Sequence, residues 1–194
     1  MNTRTLGSFT YKKSKRALDE VANAEFKGLC SIIRVTAYLM QKKTEITSLS
    51  LQKLLYYTQS MSAVFLLEPL FLNQSEAWVH GPVYREIYDL YNENTDYIMQ
   101  YPDVEPFTDT ETALIDSVVA CFGCYDGDIL RAFTHLEDPW LEARNGLSAD
   151  ARSNRKISIE SISKFFSKVK DEYRMADHSD MRNYARDIFD RVCG

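Results

Sequence analysis

Glycine and proline are scarce in this chain, and their scarcity is what most constrains its fold. Seven glycines and five prolines occur among 194 residues. A β-sandwich needs such residues at its many turns, whereas long helices exclude both from their interiors. Apolar residues make up 45% of the chain, which is enough to bury a core. The sequence therefore predicts a mainly α protein that folds as a single compact helical domain.

Apolar residues recur at helical spacing along most of the chain. The clearest stripe covers residues 51–65, where apolar positions lie three or four residues apart. After it, two short apolar pieces at residues 70–72 and 77–79 predict a small β-hairpin. Pro82 then suits the first turn of a new helix, because its missing N–H is no loss there. We expect that helix to end near Tyr91.

Three segments of different character predict the domain organisation. Residues 1–17 lack an apolar period and are expected to form a flexible N-terminal arm. Residues 18–178 carry the helical domain. Residues 179–194 form an additional C-terminal amphipathic helix, which could dock on the core or on a second copy of the chain. A homo-oligomer is therefore left open.

Charge and hydropathy exclude several partners. The net charge of −5 argues against a surface that tracks phosphates over the whole protein. A basic run at Lys12, Lys13, Lys15 and Arg16 leaves nucleic-acid binding open only as a minor alternative. No run of about 18 uncharged apolar residues occurs, so no membrane span is expected. We expect a cytoplasmic protein with reduced cysteines.

No motif for catalysis or cofactor binding can be recognised. Cys121 and Cys124 have the C-x-x-C spacing of redox and zinc sites, but a second pair of ligands is missing. Buried apolar thiols are the favoured interpretation. We expect no enzyme and no cofactor, and the alternative, catalysis through His135 or the cysteine pair, is left open.

Tyrosine is the most suggestive residue type. The chain has twelve tyrosines, several of them between residues 84 and 101. Tyrosine gives a binding surface apolar area and a hydrogen-bonding tip at little cost in rotamer entropy. About half of these tyrosines are expected simply to pack with the hydroxyl at the surface, and the others indicate a partner-binding surface near the turn that precedes them. Its expected residues are Trp78, His80, Tyr84, Tyr88 and Tyr91.

An ordered series of motifs begins in the clearest helical stripe. Residues 51–57 read Leu-Gln-Lys-Leu-Leu-Tyr-Tyr, and residues 68–71 read Glu-Pro-Leu-Phe. Residues 76–84 read Glu-Ala-Trp-Val-His-Gly-Pro-Val-Tyr, and later a Thr-His pair precedes a Pro-Trp pair. Together these motifs resemble the Panacea domain family, the antitoxin-associated domain of many bacteria and phages. The signature positions, which we expect to be structural, are Leu51, Lys53, Leu54, Tyr56, Gly81, Pro82, Val83, His135, Pro139 and Trp140. We expect the stem of Lys53 to pack while its ammonium group reaches solvent or a carboxylate.

The resemblance implies an antitoxin-like regulatory protein. Such a protein binds a toxin and neutralises it, either by masking it or by delivering it to a protease as an adaptor. The alternative is a phage or mobile-element interaction protein of the same fold with a different protein partner. Either function needs a complementary surface and no catalytic constellation.

Overall fold

The computed structural model describes residues 32–101 and 106–194. Within these ranges nine α-helices and one two-stranded antiparallel sheet form a mainly α fold, which confirms the predicted fold class. The predicted arm at residues 1–17, the basic run inside it and the first part of the predicted domain lie outside the described residues.

The elements are named in chain order. They are α1 (Ile32–Lys42), α2 (Ser48–Met61), β1 (Glu76–Trp78), β2 (Gly81–Val83), α3 (Arg85–Glu93), α4 (Thr95–Met99), α5 (Asp109–Phe122), α6 (Gly127–Thr134), α7 (Asp138–Arg144), α8 (Ile159–Glu172) and α9 (Met181–Cys193). A π-helical turn, Ser62–Leu66, continues α2, and a 3₁₀ turn, His178–Asp180, precedes α9.

Helix α2 is the centre of the fold. It starts three residues before the predicted position, because the Thr47 hydroxyl caps it by accepting a hydrogen bond from the Ser50 amide. It packs against α1, α5, α6, α8 and β2. All residues from Ser50 to Met61 are consequently buried, so α2 is covered on every side and not only along the predicted stripe.

Polar side chains on α2 are satisfied inside the core. The Gln52 amide accepts from the Tyr84 N–H at 2.7 Å and donates to the Tyr84 carbonyl. The Gln59 amide pairs in the same way with the backbone of Leu70 and Phe71. Because buried backbone groups require partners, these two glutamines stabilise irregular segments that no strand covers.

Pro69 would be expected to end α2, because proline lacks a hydrogen-bond donor, but the helix ends before it. The π-helical turn closes at Leu66, and Leu67 adopts a left-handed conformation with φ of 60°. The Ser62 hydroxyl donates to the Glu68 carbonyl and holds the reversal. Since the chain has already left the helix at Leu67, the proline follows the break and does not cause it.

The hairpin is present, but its predicted position is wrong. Its strands are Glu76–Trp78 and Gly81–Val83, joined by a turn at Val79 and His80. Pro82 therefore lies in a strand and does not open a helix. Pro82 pairs with Ala77, whose N–H bonds instead to the Arg155 carbonyl on the far side. At such a position proline is tolerated, because the ladder needs no N–H from it.

Side chains cap several of the remaining helices. Thr108 and Glu111 form a capping box at the start of α5, and Ser158 caps α8, as the Thr-x-x-Glu pattern and the serine at these positions indicate. The polar segment at residues 92–107 contains α4. Asp177 caps the turn that leads into α9. Helix α9 packs against α5 and α6.

Candidate functional site

The hairpin lies at the centre of the candidate site, and it is held from both sides. On one side the segment at residues 155–157 pairs with β1: the Ala77 N–H bonds to the Arg155 carbonyl at 2.8 Å, and the Ile157 N–H to the Ser75 carbonyl at 2.8 Å. On the other side β2 packs on α2 and α6. A hairpin this short is only marginally stable alone, so these neighbours fix its position.

Glycine is required where β2 begins. Gly81 has φ of +91°, in the region that favours glycine. A Cβ at this position would lie 2.6 Å from Thr134 Oγ1 and 2.7 Å from Lys53 Cε. The backbone of the hairpin therefore approaches α2 and α6 more closely than any side chain would allow.

Lys53 lies directly beneath Gly81. Its ammonium group was expected to reach solvent or a carboxylate, and that expectation is wrong. The side chain is 0% exposed, and Nζ donates to the Pro82 carbonyl at 2.9 Å, so the group reaches neither solvent nor a carboxylate. Burial, and then the positive charge of Arg131, lower the pKa of Lys53 to about 7. Near neutral pH this lysine is therefore partly uncharged.

Glu76 joins three parts of the site. Its carboxylate accepts from Trp78 Nε1 at 2.7 Å, from Arg85 Nη2 at 2.8 Å and from Lys156 Nζ at 3.1 Å. Burial alone would raise its pKa, but these hydrogen bonds outweigh that effect and lower the pKa of Glu76 to about 2. The carboxylate consequently stays ionised at any physiological pH.

Trp78 is half-buried and has an arginine and a tyrosine beside its ring. The Arg85 guanidinium carbon lies 5.0 Å from the ring centroid, within cation–π range. The Tyr88 ring meets the indole edge to face, with centroids 5.1 Å apart. Tyr88 remains 38% exposed. Two of the predicted partner-binding residues thus lie together on the surface.

The tip of the hairpin adds two further polar groups. His80 is exposed, and its Nδ1 lies 3.4 Å from Arg131 Nη1 of α6. We call the set Trp78, His80, Arg85, Tyr88 and Arg131 the hairpin surface. Trp, Tyr and Arg are the residues most enriched at energetic hot spots of protein interfaces.

The signature residues His135 and Trp140 stack on each other, and Trp140 bonds to the backbone of the hairpin. Their rings stack with centroids 4.0 Å apart, and Trp140 Nε1 donates to the Trp78 carbonyl at 2.9 Å. Burial, followed by the charges of Lys53 and Arg131, lowers the pKa of His135 to about 4. His135 is therefore neutral at pH 7 and packs as an aromatic ring.

Two predicted partner-binding tyrosines do not belong to this surface. Tyr84 is 1% exposed and meets Phe71 edge to face at 5.3 Å, so it lies in the core and is not available to a partner. Tyr91 is half-buried, and its hydroxyl donates to the Ile46 carbonyl at 2.7 Å. Sequence spacing did not separate them from Tyr88, because all of these positions lie on or beside one short helix.

A second cluster, which the sequence analysis missed, surrounds Glu137. This carboxyl group is 0% exposed, and its Oε1 accepts from the Tyr57 and Tyr184 hydroxyls, each at 2.8 Å. Burial raises the pKa of Glu137 to about 7, against the lowering effect of the tyrosine hydrogen bonds. The one sequence signal for this cluster is the position of Tyr57 within the apolar helix at residues 51–65, because a buried tyrosine hydroxyl needs a hydrogen-bond acceptor.

The described cysteines and histidines do not assemble a metal or relay site. Cys121 is buried as expected, but Cys124 is exposed, which corrects that prediction. Among residues 32–101 and 106–194 no three histidine, cysteine or acidic side chains are grouped as metal ligands. Ser117 Oγ lies 2.7 Å from His178 Nδ1, and Asp177 approaches the same nitrogen. A serine–histidine–aspartate relay needs the two ring nitrogens to be used separately.

No helix of the described ranges combines the length and the apolar character needed to cross a membrane. The class that these observations define is a helical domain with a buried central helix and an aromatic, arginine-bearing surface on an embedded hairpin. A family model described as "Antitoxin SocA-like, Panacea domain" matches residues 51–141. The match confirms the resemblance to the Panacea domain family that was predicted from the sequence. The match supports an antitoxin-like, regulatory role in general. Neither the curated proteins nor the solved structures gave a significant match.

Proposed function

We propose that this protein is an antitoxin that binds a protein toxin in the cytoplasm and neutralises it, and that the hairpin surface is its contact. The observation that carries the proposal is the arrangement at Trp78. A half-buried indole with an arginine and a partly exposed tyrosine beside it resembles the anchor of a protein interface. The hairpin lies inside the segment that matches the antitoxin-like family.

Rigidity of the surface supports the same proposal. The hairpin is held by α2, α6 and the segment at residues 155–157, so little conformational freedom remains to be lost on binding. Preorganised side chains cost less entropy when a partner immobilises them. The surface is therefore suited to tight binding of a folded protein.

The test uses the product of the adjacent open reading frame as the partner. We expect this product to inhibit growth when expressed alone and to lose its toxicity when the chain is co-expressed. The double variant His80→Ala/Tyr88→Ala should weaken binding by at least about tenfold, since hot-spot truncations commonly cost more than 1 kcal/mol. Met99→Ala, an exposed apolar residue on α4, is the matched control and should bind as the wild type does.

Masking and delivery to a protease are separated by the lifetime of the toxin in cells. With masking, co-expression leaves the lifetime unchanged, whereas delivery shortens it. If the adjacent product binds the chain but is not toxic, the phage or mobile-element interaction function is supported instead. If the double variant rescues growth and binds like the wild type, the hairpin surface is not the contact.

A further inference from the structure

We infer that Glu76 is a positioning residue for partner binding: its buried carboxylate fixes the orientation of Trp78 and Arg85 on the hairpin surface. This inference rests on the proposed function, because it concerns the same surface. Glu76 itself is 5% exposed and is not expected to touch a partner. Its effect on binding would therefore pass through the two side chains that it holds.

The strand geometry brings Glu76 and Trp78 to one face. Side chains two residues apart on a strand point to the same side of the sheet, and Ala77 between them points to the core. The Trp78 Nε1–H then donates to Glu76 Oε2 at 2.7 Å. One hydrogen bond at the edge of the indole fixes the rotation of the whole ring, because the backbone already fixes its Cβ.

Arg85 is oriented by the same carboxylate. Its Nη2 donates to Glu76 Oε2 at 2.8 Å, and its Nε lies 3.3 Å from Oε1. This two-point contact sets the plane of the guanidinium group, which lies over the Trp78 ring. Without Glu76, a side chain that is 49% exposed would sample many rotamers in solvent.

Lys156, which lies outside the matched family segment, is a further hydrogen-bond donor to the Glu76 carboxylate. Its Nζ donates to Glu76 Oε1 at 3.1 Å, and residue 156 also forms a backbone bridge with residue 76. The carboxylate thus receives donors from β1, from α3 and from the segment at residues 155–157. Four charge-assisted hydrogen bonds from three side chains hold this nearly buried carboxylate in one orientation, so it can fix the positions of Trp78 and Arg85.

The experiment compares two changes at Glu76 with a matched control. Glu76→Gln keeps the length of the side chain and removes its charge, and Glu76→Asp keeps the charge and shortens the side chain. Asp89→Asn is the control, because Asp89 is an exposed carboxylate on α3 whose charge acts on Arg85. It removes the same charge from the same face without changing the contacts of Trp78.

Two readouts separate positioning from folding. The chain has two tryptophans, so an amide correlation spectrum shows two indole N–H signals, and Trp78→Phe assigns one of them. We expect both Glu76 variants, but not Asp89→Asn, to shift the Trp78 indole signal while the other peaks stay dispersed. We also expect them to weaken binding of the adjacent gene product by about tenfold, the range set by charge-assisted hydrogen bonds.

Each outcome decides the inference. An unchanged indole signal in Glu76→Gln overturns it, and so does a shifted signal with wild-type affinity. If Glu76→Gln does not fold, Glu76→Asp decides by the same two readouts. The proposed function fails separately: in that case His80→Ala/Tyr88→Ala keeps full affinity, or the wild type does not bind the product at all. Weaker binding by Asp89→Asn equal to that of Glu76→Gln would assign the effect to charge alone and would also overturn the inference.

Discussion

The Tyr184 hydroxyl donates a 2.8 Å hydrogen bond to Glu137 Oε1. A helix outside the matched family segment therefore supplies a hydrogen-bond donor to a buried carboxyl group inside that segment. Helix α9 also buries Met181, Ala185 and Ile188 against the domain. The folded unit therefore extends well beyond residue 141. The loop that pairs with β1 leads to the same conclusion, since it too follows the matched segment.

Removal of the Tyr184 hydroxyl should destabilise the protein. In Tyr184→Phe, a carboxyl group without solvent access loses one of its two donors, which typically costs about 1.5–3 kcal/mol. Urea denaturation at constant pH measures the loss in the free energy of unfolding. Tyr173→Phe is the control, because that hydroxyl bonds to Asp187 at an exposed position and should cost less than about 1 kcal/mol. Equal losses in the two variants would show that Glu137 does not depend on Tyr184.

Glu137 should make stability fall as the pH rises from about 4.5 to about 7. Burial penalises the charged form and raises the pKa of Glu137 in the folded state from its ordinary value of 4.5 to about 7. Between these values the folded state binds more protons than the unfolded state, so the contribution to stability is largest below about 4.5 and is lost as the pH rises through 7. The loss is on the order of 3 kcal/mol. His135, whose pKa is lowered to about 4, contributes an opposite slope below about pH 6.5, so the contribution of Glu137 is isolated by comparison with Glu137→Gln. The difference in unfolding free energy between the wild type and this variant, measured by urea denaturation from about pH 4.5 to 8, should fall as the pH rises.

Lys53 should produce the opposite slope at higher pH. The pKa of Lys53 in the folded state is lowered to about 7, so between pH 7 and its ordinary value of 10.5 the unfolded state binds more protons. Stability should therefore rise over this alkaline range. Lys53→Met should abolish the rise and leave the dependence of stability on pH below 7 unchanged. Together the two groups predict a minimum of their combined contribution near pH 7. A wild-type stability that is flat between pH 7 and 10 would contradict the burial of an ionisable Lys53.

Alanine variants of Tyr84 and Tyr88 should differ in their effects, with the first lowering stability and the second weakening partner binding. Tyr84→Ala removes a buried ring and should cost about 3–5 kcal/mol of unfolding free energy, the usual range for large aromatic truncations in a core. Tyr88→Ala should cost less than about 1 kcal/mol, since that ring is 38% exposed, yet it should weaken partner binding. Thermal unfolding and calorimetric titration against the adjacent gene product measure the two effects. A destabilising Tyr88→Ala would place that ring in the core.

The helical class and most helix starts could be predicted because they depend on local signals. The Thr108 box and the Ser158 cap are examples: each hydroxyl satisfies an amide three residues away, so a few residues of sequence contain the whole interaction. The motif series between residues 51 and 141 was recognised for a similar reason, since it is a linear pattern.

The hairpin position and the buried charges could not be predicted, because their causes are distant in sequence. Pro82 is acceptable in a strand because it faces Ala77 at a position of the ladder that needs no N–H from it, and no local pattern reveals this register. The ammonium group of Lys53 stays inside because the backbone at Gly81 closes over it, 28 positions further along the chain. Glu137 is likewise buried without a local sequence signal. Its environment is built by tyrosines on α2 and α9.

Gly81→Ala should test the close approach that holds the hairpin surface in place. The variant combines a φ of +91° with a Cβ 2.6 Å from Thr134 Oγ1 and 2.7 Å from Lys53 Cε. Gly146→Ala is the matched control, because Gly146 has φ of +75° and nothing lies within 4 Å of its added Cβ. Backbone strain alone should cost about 1–2 kcal/mol at either position. Gly81→Ala should cost at least about 2 kcal/mol more, because β2 must move away from α2 and α6, and that movement should also displace Trp78 and weaken partner binding. Chemical denaturation measures the difference, and equal losses at the two glycines would show that the hairpin can shift without disturbing the core.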